Sequence, residues 1–244
     1  MKLLKKLSEY FSAFEILLWF ISFLLIFLSF VLFDRTNYIT PTASLIGITL
    51  ILLNAKGNPI GQVLMVLFSL LYGIISYSFA YYGEMVTYLG MTMPMAILSL
   101  ISWLRNPYQK GRSEVAVNKL HGMEYLFMCL ITCIVTVLFY FILRHFHTMN
   151  LIPSTLSVTT SFIAVYLTFR RSSYFSMAYA ANDIILIVLW TMAGMQNPKY
   201  ISVIVCFLAF LMNDLYALIS WKRMDPQQKG PYPAQHHSPS SPSR

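Results

Sequence analysis

The segment from Leu98 to Asn106, LSLISWLRN, ends an apolar run and places an arginine two residues after a tryptophan. The run begins near residue 85, so it has about the 20-residue length that a helix needs to cross the apolar core of a bilayer. A tryptophan at the end of such a run, followed by a basic residue, is typical of a membrane helix that reaches the lipid headgroups. LSLISWLRN therefore predicts the end of a transmembrane helix.

The composition of the whole chain agrees with this prediction. Of its 244 residues, 57% are hydrophobic and 11% are charged, whereas a soluble domain carries about 25% charged residues. Eight apolar runs lie at residues 14–33, 40–53, 59–82, 85–104, 123–143, 151–169, 174–193 and 201–221. The second run is short and contains polar residues, so a tilted or re-entrant helix is an alternative there. We predict an all-α polytopic membrane protein with eight transmembrane helices.

The positions of the basic residues predict the orientation of these helices. If the chain starts on the cytoplasmic side, 14 of the 17 Lys and Arg residues fall in cytoplasmic segments. The other three are Arg35, Arg144 and Lys199. Such an asymmetry follows the positive-inside rule, and both termini are therefore predicted to be cytoplasmic. Because the charges alternate with apolar runs, the net charge of +8 does not indicate binding to nucleic acid.

The Ile-Ser-Trp of LSLISWLRN occurs again in LYALISWKRM, residues 215–224, at an offset of 118. ITPTASLIG (39–47) and LIPSTLSVT (151–159) open the second and sixth runs, and their prolines are offset by 112. These matches predict two parallel three-helix repeats in a 1+3+1+3 arrangement. The predicted segments are an N-terminal segment with an extra helix (1–35), a first bundle (36–106), a cytoplasmic loop with a linker helix (107–148), a second bundle (149–223) and a disordered C-terminal tail (224–244).

Two Asn-Asp pairs interrupt the apolar runs, Asn182–Asp183 and Asn213–Asp214. A carboxylate at the bilayer centre costs about 2.5–3.5 kcal/mol on insertion scales, so such a residue indicates a functional site. For Asp214 a second interpretation stays open, in which it pairs near the cytoplasmic half of its helix. We predict a polar substrate cavity near the midplane, lined by Gln62, Tyr72, Tyr179, Asn182, Asp183, Trp190, Asn213 and Tyr216.

No arrangement of residues typical of an enzyme is found in the sequence. It contains no Walker A motif, no His-Glu-x-x-His and no Gly-x-Ser-x-Gly, so we expect neither catalysis nor a metal or other cofactor. The three cysteines lie inside apolar runs and are expected to be buried free thiols.

Four segments resemble the PnuC-type nicotinamide riboside transporters, which have a SWEET-like fold: NAKGNPIGQ (54–62), SLLYGIISYSFAYYGEM (69–85), SLISWLRNP (99–107) and AVYLTFRRSSYFSMAYAANDIILIVLW (164–190). The resemblance implies a homotrimer in a bacterial cell membrane that carries nicotinamide riboside by facilitated diffusion. Phosphorylation in the cytosol then traps the product for NAD biosynthesis. Family members carry Trp-x-x-Trp where this chain has Ser176 and Tyr179, and a glutamine where it has Ala96. Tyr179 and Trp190 are the candidate replacements for the stacking tryptophans.

The implied ligand suits the candidate residues. Nicotinamide riboside carries a permanent positive charge on an aromatic ring, which favours aromatic side chains and a nearby carboxylate. Its carboxamide and hydroxyl groups match Asn and Gln, which both donate and accept hydrogen bonds. Two alternatives stay open: transport of thiamine or another vitamin by the same fold, and a substrate-capture subunit that needs a separate ATPase. The partners expected are a cationic aromatic vitamin, membrane lipid and further copies of the chain, without nucleic acid.

Overall fold

The computed structural model describes residues 10–35, 38–78, 81–109, 113–148, 150–195 and 197–228. Within them the chain forms eight helices: α1 (Ala13–Phe33), α2 (Ile39–Ala55), α3 (Ile60–Ser78), α4 (Tyr82–Arg105), α5 (Gly122–His145), α6 (Leu151–Phe169), α7 (Phe175–Gly194) and α8 (Ile201–Gln227). Seven of these described helices are long and apolar enough to cross a membrane, and α2, with 17 residues, is the shorter one. The expectation of an all-α, multi-pass membrane protein is confirmed.

The helix ends follow local signals in the sequence. At the start of α1, the Ser12 side chain caps the backbone N–H of Glu15 while the Glu15 carboxylate accepts from the Ser12 N–H, a reciprocal capping box. The second apolar run, for which a re-entrant helix was an alternative, is one continuous helix. Helix α8 runs through Pro226 to Gln227, so it enters the segment predicted as a tail at residue 224. Residues 229–244 of that tail lie outside the described residues.

Six helices close into a ring. Helix α2 packs against α3 and α8, α4 packs against α3 and α6, and α7 packs against α6 and α8. Helix α1 lies outside the ring against α2 and α8, and α5 lies outside it, mainly against α6. Only 17% of the most apolar part of α1 and 22% of that of α5 is buried, against at least 50% for α3, α6, α7 and α8. The outer surfaces of α1 and α5 are therefore largely uncovered by the rest of the described chain.

This arrangement corrects the expectation for two of the cysteines. Cys129 and Cys133 are exposed, because they lie on α5, whose surface is mostly uncovered. Cys206, on the ring helix α8, is buried, and its sulfur accepts a hydrogen bond of 2.8 Å from the Ser44 hydroxyl of α2. Small thiols thus pack within the ring but face lipid outside it.

Helices α2, α4, α6 and α8 all end on the same side of the ring. We call this the basic side, because the described residues on it include most of the Lys and Arg. At the end of α4, the Trp103 indole donates to the Thr168 carbonyl of α6 at 2.9 Å. The adjacent Ser102 hydroxyl donates to the next carbonyl, that of Phe169, also at 2.9 Å. The first Ile-Ser-Trp motif therefore ties α4 to the end of α6.

The second Ile-Ser-Trp motif makes the matching pair of bonds on α2. The Trp221 indole donates to the Asn54 carbonyl and the Ser220 hydroxyl donates to the Ala55 carbonyl, each at 2.7 Å. The two indole rings lie 5.6 Å apart at the centre of the basic side, where Phe175 also packs against both. The repeated motif thus joins α4 to α6 and α8 to α2 by equivalent bonds, and its two tryptophans meet.

The loop between α4 and α5 adds a third connection on the basic side. The Val115 backbone N–H donates to the Gly57 carbonyl after α2, and the Asn118 N–H donates to the Arg171 carbonyl after α6, both at 3.0 Å. Gly57 and Arg171 have φ angles of +63° and +57°, so each ends its helix in the left-handed conformation. The Gln228 side chain at the end of α8 donates to Glu114 of the same loop. This loop therefore joins α2, α6 and α8.

We expect Trp103→Phe and Trp221→Phe to lower stability by similar amounts, about 0.5–1.5 kcal/mol each, the net value of one hydrogen bond. The loss stays moderate because each accepting carbonyl keeps a bond from a backbone N–H. Thermal unfolding in detergent, followed by size-exclusion chromatography, measures it. The double variant should deviate from additivity because the rings touch.

Trp19→Phe is the matched control, since this indole donates to Thr49 between α1 and α2, outside the ring. The loss of stability caused by Trp19→Phe should add to the loss caused by Trp103→Phe. Strict additivity of the two motif tryptophans would contradict a shared cluster on the basic side.

Candidate substrate site

A cavity of about 50 Å³ lies inside the ring, and every ring helix contributes to its lining. The helices α2, α3 and α4 contribute Gly47, Leu50, Ile51, Asn54, Met65, Phe68, Tyr88 and Thr92. The helices α6, α7 and α8 contribute Ser161, Val165, Phe175, Tyr179, Asn182, Asp183, Phe207, Phe210 and Asp214. Sites that hold a drug-sized ligand measure about 300–1,000 Å³. The cavity is therefore small, with room for a few water molecules.

Two carboxyl groups meet in this cavity. Asp183 on α7 and Asp214 on α8 are each 4% exposed, and their side chains lie within hydrogen-bonding contact of one another. One carboxyl oxygen of Asp183 has no hydrogen-bond partner among the described residues. The two ion pairs in the described part of the chain are Lys56–Glu15 and Arg170–Glu124, and no lining residue is basic. The site therefore holds two acidic groups in contact, without a fixed counter-ion.

Two amide side chains lie in the same cavity, and neighbouring polar groups fix each of them. The Asn182 side-chain oxygen accepts hydrogen bonds from the hydroxyls of Thr160 (2.9 Å) and Ser161 (3.0 Å) on α6. Asn54 on α2 accepts a bond of 2.9 Å from the Gln62 amide. These bonds use the amide oxygens, so the amide N–H groups stay available as donors to a ligand.

Aromatic rings form the walls between these polar groups. Phe68 contacts Tyr88 and Phe210 edge to face, with ring centres 5.9 and 5.7 Å apart. The Phe210 ring approaches α2 so closely that a Cβ atom at Gly47 would lie 2.4 Å from it. Glycine at position 47 therefore lets α8 place this ring against the cavity.

Helix α4 changes its geometry where it borders the cavity. Residues Tyr88–Thr92 form a π-helical turn, in which the Met93 N–H donates to the Tyr88 carbonyl. Pro94 follows directly and has no N–H of its own, so the regular bond pattern is already interrupted there. Such turns often occur at functional sites, and this one directs Tyr88 and Thr92 into the cavity.

Aromatic clusters flank the cavity on both sides. On the less basic side, the Trp190 ring lies 4.7 Å from Tyr81 and 5.5 Å from Tyr200, and Tyr72 lies 4.4 Å from Tyr88. On the basic side, the cluster of Trp103, Trp221 and Phe175 lies between the cavity and the end of the ring. Aromatic side chains therefore narrow the cavity on both sides.

The structure brings together only part of the set of site residues expected from the sequence. Tyr179, Asn182 and Asp183 line the cavity. Tyr72 and Trp190 lie in the aromatic cluster on the less basic side, so Trp190 is not a stacking surface within the cavity. Gln62 does not line the cavity, but its amide donates a hydrogen bond to the lining residue Asn54.

Asn213 and Tyr216 point away from the cavity, so their predicted place in it is corrected. The Asn213 amide donates to the Ser22 hydroxyl of α1 at 2.8 Å, and the Tyr216 hydroxyl donates to Glu15 of α1, also at 2.8 Å. Asp214 lines the cavity instead and does not pair with Lys222 or Arg223. Successive helix residues point about 100° apart, and the sequence alone did not tell which member of the pair faces inward.

The chain is similar to known proteins in sequence and in fold. A model of the family described as nicotinamide mononucleotide transporters matches residues 37–223, more than half of the chain. The chain belongs to this family. The chain is also similar to the nicotinamide riboside transporter PnuC of Neisseria mucosa, with 24% identity over 218 residues, or 87% of this chain and 82% of the relative.

The fold has also been seen before. The crystal structure of the vitamin B3 transporter PnuC matches this structure with a TM-score of 0.78 and 20% sequence identity, over 89% of this chain and 94% of that chain. The resemblance to PnuC drawn from sequence segments is thereby confirmed at the level of family and fold.

We expect Asp183→Asn and Asp214→Asn each to raise the stability of the ligand-free protein, by about 1–3 kcal/mol, the order of the cost of burying an unpaired polar group. An amide can donate to the remaining carboxylate, which removes the contact between two acids. Thermal unfolding without ligand measures the effect. Glu15→Gln is the control and should lower stability, because Glu15 pairs with Lys56 at 3.1 Å.

Proposed function

We propose that the protein carries nicotinamide riboside across a bacterial cell membrane by facilitated diffusion. The observation that carries this proposal is the cavity inside the ring, where two carboxyl groups face each other with no basic residue among the lining side chains. A permanently cationic ligand supplies the missing counter-charge. An uncharged ligand would leave both acids without it, and an anionic ligand would be repelled.

The other lining groups support an aromatic cation with polar substituents. Rings at Phe68, Tyr88 and Tyr179 offer faces to a pyridinium, an attraction that strengthens when water is excluded. The amides of Asn54 and Asn182 can donate to a carboxamide or to ribose hydroxyls. Tyr179 occupies one position of the tryptophan pair that the family resemblance implies, and we assign it the stacking role.

The family description names the mononucleotide, whereas the lining favours the riboside. A 5′-phosphate adds up to two negative charges, which arginine or lysine side chains usually bind. The lining residues in the described part of the chain provide none and include two acids instead. Exclusion of the phosphorylated form also provides the direction of uptake: once the riboside is phosphorylated in the cytosol, it cannot return through the same cavity.

We further propose that the fold consists of two parallel three-helix repeats, α2–α4 and α6–α8, with α1 and α5 outside them. The equivalent bonds of the two Ile-Ser-Trp motifs support this pairing. The basic side is then cytoplasmic, as are both termini, and rocking of the two repeats opens one aromatic cluster at a time. A homotrimer, as the family resemblance implies, would cover part of the lipid-facing surface.

Two other functions remain as outcomes of the test. Thiamine is also an aromatic cation and would fit the acid pair on charge alone. A substrate-capture subunit would bind the ligand but move it only with a separate ATPase.

The first test is equilibrium binding by calorimetry. Asp214→Asn should weaken binding of nicotinamide riboside at least about tenfold, or 1.4 kcal/mol, because it removes a carboxylate from the cation site. The adjacent Asn213→Ala is the matched control and should change affinity less than about twofold, since its side chain faces α1. Equal effects of both variants would contradict the assignment of Asp214.

The second test is transport by the purified chain in liposomes. We expect uptake of labelled nicotinamide riboside down its gradient without ATP or a partner protein, and no uptake of the mononucleotide. Enclosing a riboside kinase and ATP should raise the accumulated label above the equilibrium level. Uptake of thiamine but not of the riboside would overturn the substrate assignment, and binding without transport would favour the capture subunit.

A further inference from the structure

A third buried carboxyl group lies between the substrate cavity and the less basic side. Glu84 is 1% exposed and lies near the start of α4. It precedes Tyr88 and Thr92 at helical spacings of four and eight residues, so all three share one face of α4. Because Tyr88 and Thr92 line the cavity, Glu84 lies on the same face, one turn or about 5.4 Å further out.

Helix α6 carries a matching pair of polar residues opposite α4, one beside the cavity and one a turn further out. Ser157 and Ser161 are four residues apart, and Ser161 lines the cavity. The Ser157 hydroxyl donates to one carboxyl oxygen of Glu84 at 3.4 Å. The pair of Glu84 and Ser157 therefore forms a polar level directly outside the cavity, and we call it the outer acid level.

Glu84 has no counter-ion in the described part of the chain. Its second carboxyl oxygen has no hydrogen-bond partner, and neither ion pair described above includes it. A buried carboxylate without a partner is costly, and it is rarely present in a membrane span unless it serves a function. The bond from Ser157 uses one carboxyl oxygen, so the other oxygen remains available to a mobile cation.

Aromatic residues flank Glu84 in the chain. Tyr81 lies three residues before it and Tyr88 four residues after it, so both are about one helical turn away. Tyr81 belongs to the aromatic cluster on the less basic side, and Tyr88 lines the cavity. Glu84 thus combines a carboxyl group with nearby aromatic residues, as the central cavity does. This combination suits the same class of ligand, an aromatic cation.

We propose that Glu84, with Ser157, forms an entry site for the cationic nucleoside on the outer side, from which the ligand passes to Asp183 and Asp214. This proposal rests on the proposed function. As the cation leaves water between the aromatic rings, Glu84 compensates part of its lost hydration, and the barrier to reaching the cavity falls. A site that acts on this barrier changes the rate of passage but not the equilibrium affinity of the central cavity.

The test compares Glu84→Gln with Glu84→Asp and the unaltered protein in liposomes. Glutamine keeps the size and the acceptor for Ser157 but removes the charge, whereas aspartate keeps the charge. At riboside concentrations well below saturation and with no membrane potential, Glu84→Gln should lower the initial uptake rate at least about fivefold. Glu84→Asp should retain at least half of the unaltered rate. The dissociation constant measured by calorimetry should stay within about twofold for both variants.

A neutral analogue separates the effect of charge from that of structure. Reduced nicotinamide riboside has the same sugar and carboxamide but an uncharged ring, and its uptake should differ less than about twofold between Glu84→Gln and the unaltered protein. If the unaltered protein does not carry this analogue, the comparison of Glu84→Gln with Glu84→Asp alone decides whether the charge of Glu84 matters. If Glu84→Gln does not accumulate as folded protein, Glu84→Met, of similar volume and also uncharged, replaces it.

The possible results distinguish the entry site from the proposed function. No riboside uptake by the unaltered protein overturns both. Riboside uptake that is equal in the unaltered protein and Glu84→Gln overturns the entry site alone. An equal fall for the riboside and the neutral analogue, or a fall that Glu84→Asp does not rescue, assigns Glu84 a structural role and also overturns the entry site.

Discussion

Polar groups buried in a bilayer have no water to bond with, so each one must find a partner within the protein or remain costly. Many hydroxyl groups in the described part of the chain meet that condition locally. The hydroxyls of Ser69, Thr87 and Thr132, for example, each donate to the carbonyl four residues earlier on the same helix. Against this background the exceptions are informative. Acids at three buried positions, Glu84, Asp183 and Asp214, have no counter-ion in the described part of the chain, and two of the three meet in the central cavity.

The same constraint explains how the repeated motif organises the fold. The last carbonyls of a helix lack partners within it, and in a membrane protein an indole or hydroxyl of a neighbouring helix can bond them. Trp103 and Trp221 do so for α6 and α2. If the halves are repeats, as proposed, then each half bonds the first helix of the other. A frame built this way holds the basic side closed through contacts that are equivalent in the two halves.

If the two halves are repeats, the site does not share their symmetry. At the motif offset of 118, Asp183 would correspond to Met65, and both residues line the cavity. An acid in one half would then match an apolar residue in the other. A ligand with a charged ring at one end and a sugar at the other is asymmetric itself, so it has one preferred orientation in such a cavity.

Much of the fold followed from the sequence, because apolar length and flanking basic residues act over a single helix. The eight runs and the ends of most helices could be predicted in this way. The inward-facing residues were harder, since adjacent residues on a helix differ in direction by about 100° and apolar residues cover every face. Asn213 was therefore assigned to the site in place of Asp214. Trp190 shares a helix face with Asp183, but it lies two turns away and belongs to the aromatic cluster on the less basic side.

The small cavity and the acid pair together connect binding with movement under the proposed function. The walls leave about 50 Å³, and Asp183 and Asp214 are in contact between them. If the ligand is the aromatic cation proposed above, it must push these walls apart, and part of its attraction to the acid pair is used to do so. This limits affinity, which a carrier needs, because a ligand held too tightly would not leave on the other side. Under that proposal, the same electrostatic interaction contributes to ligand selection and to ligand release.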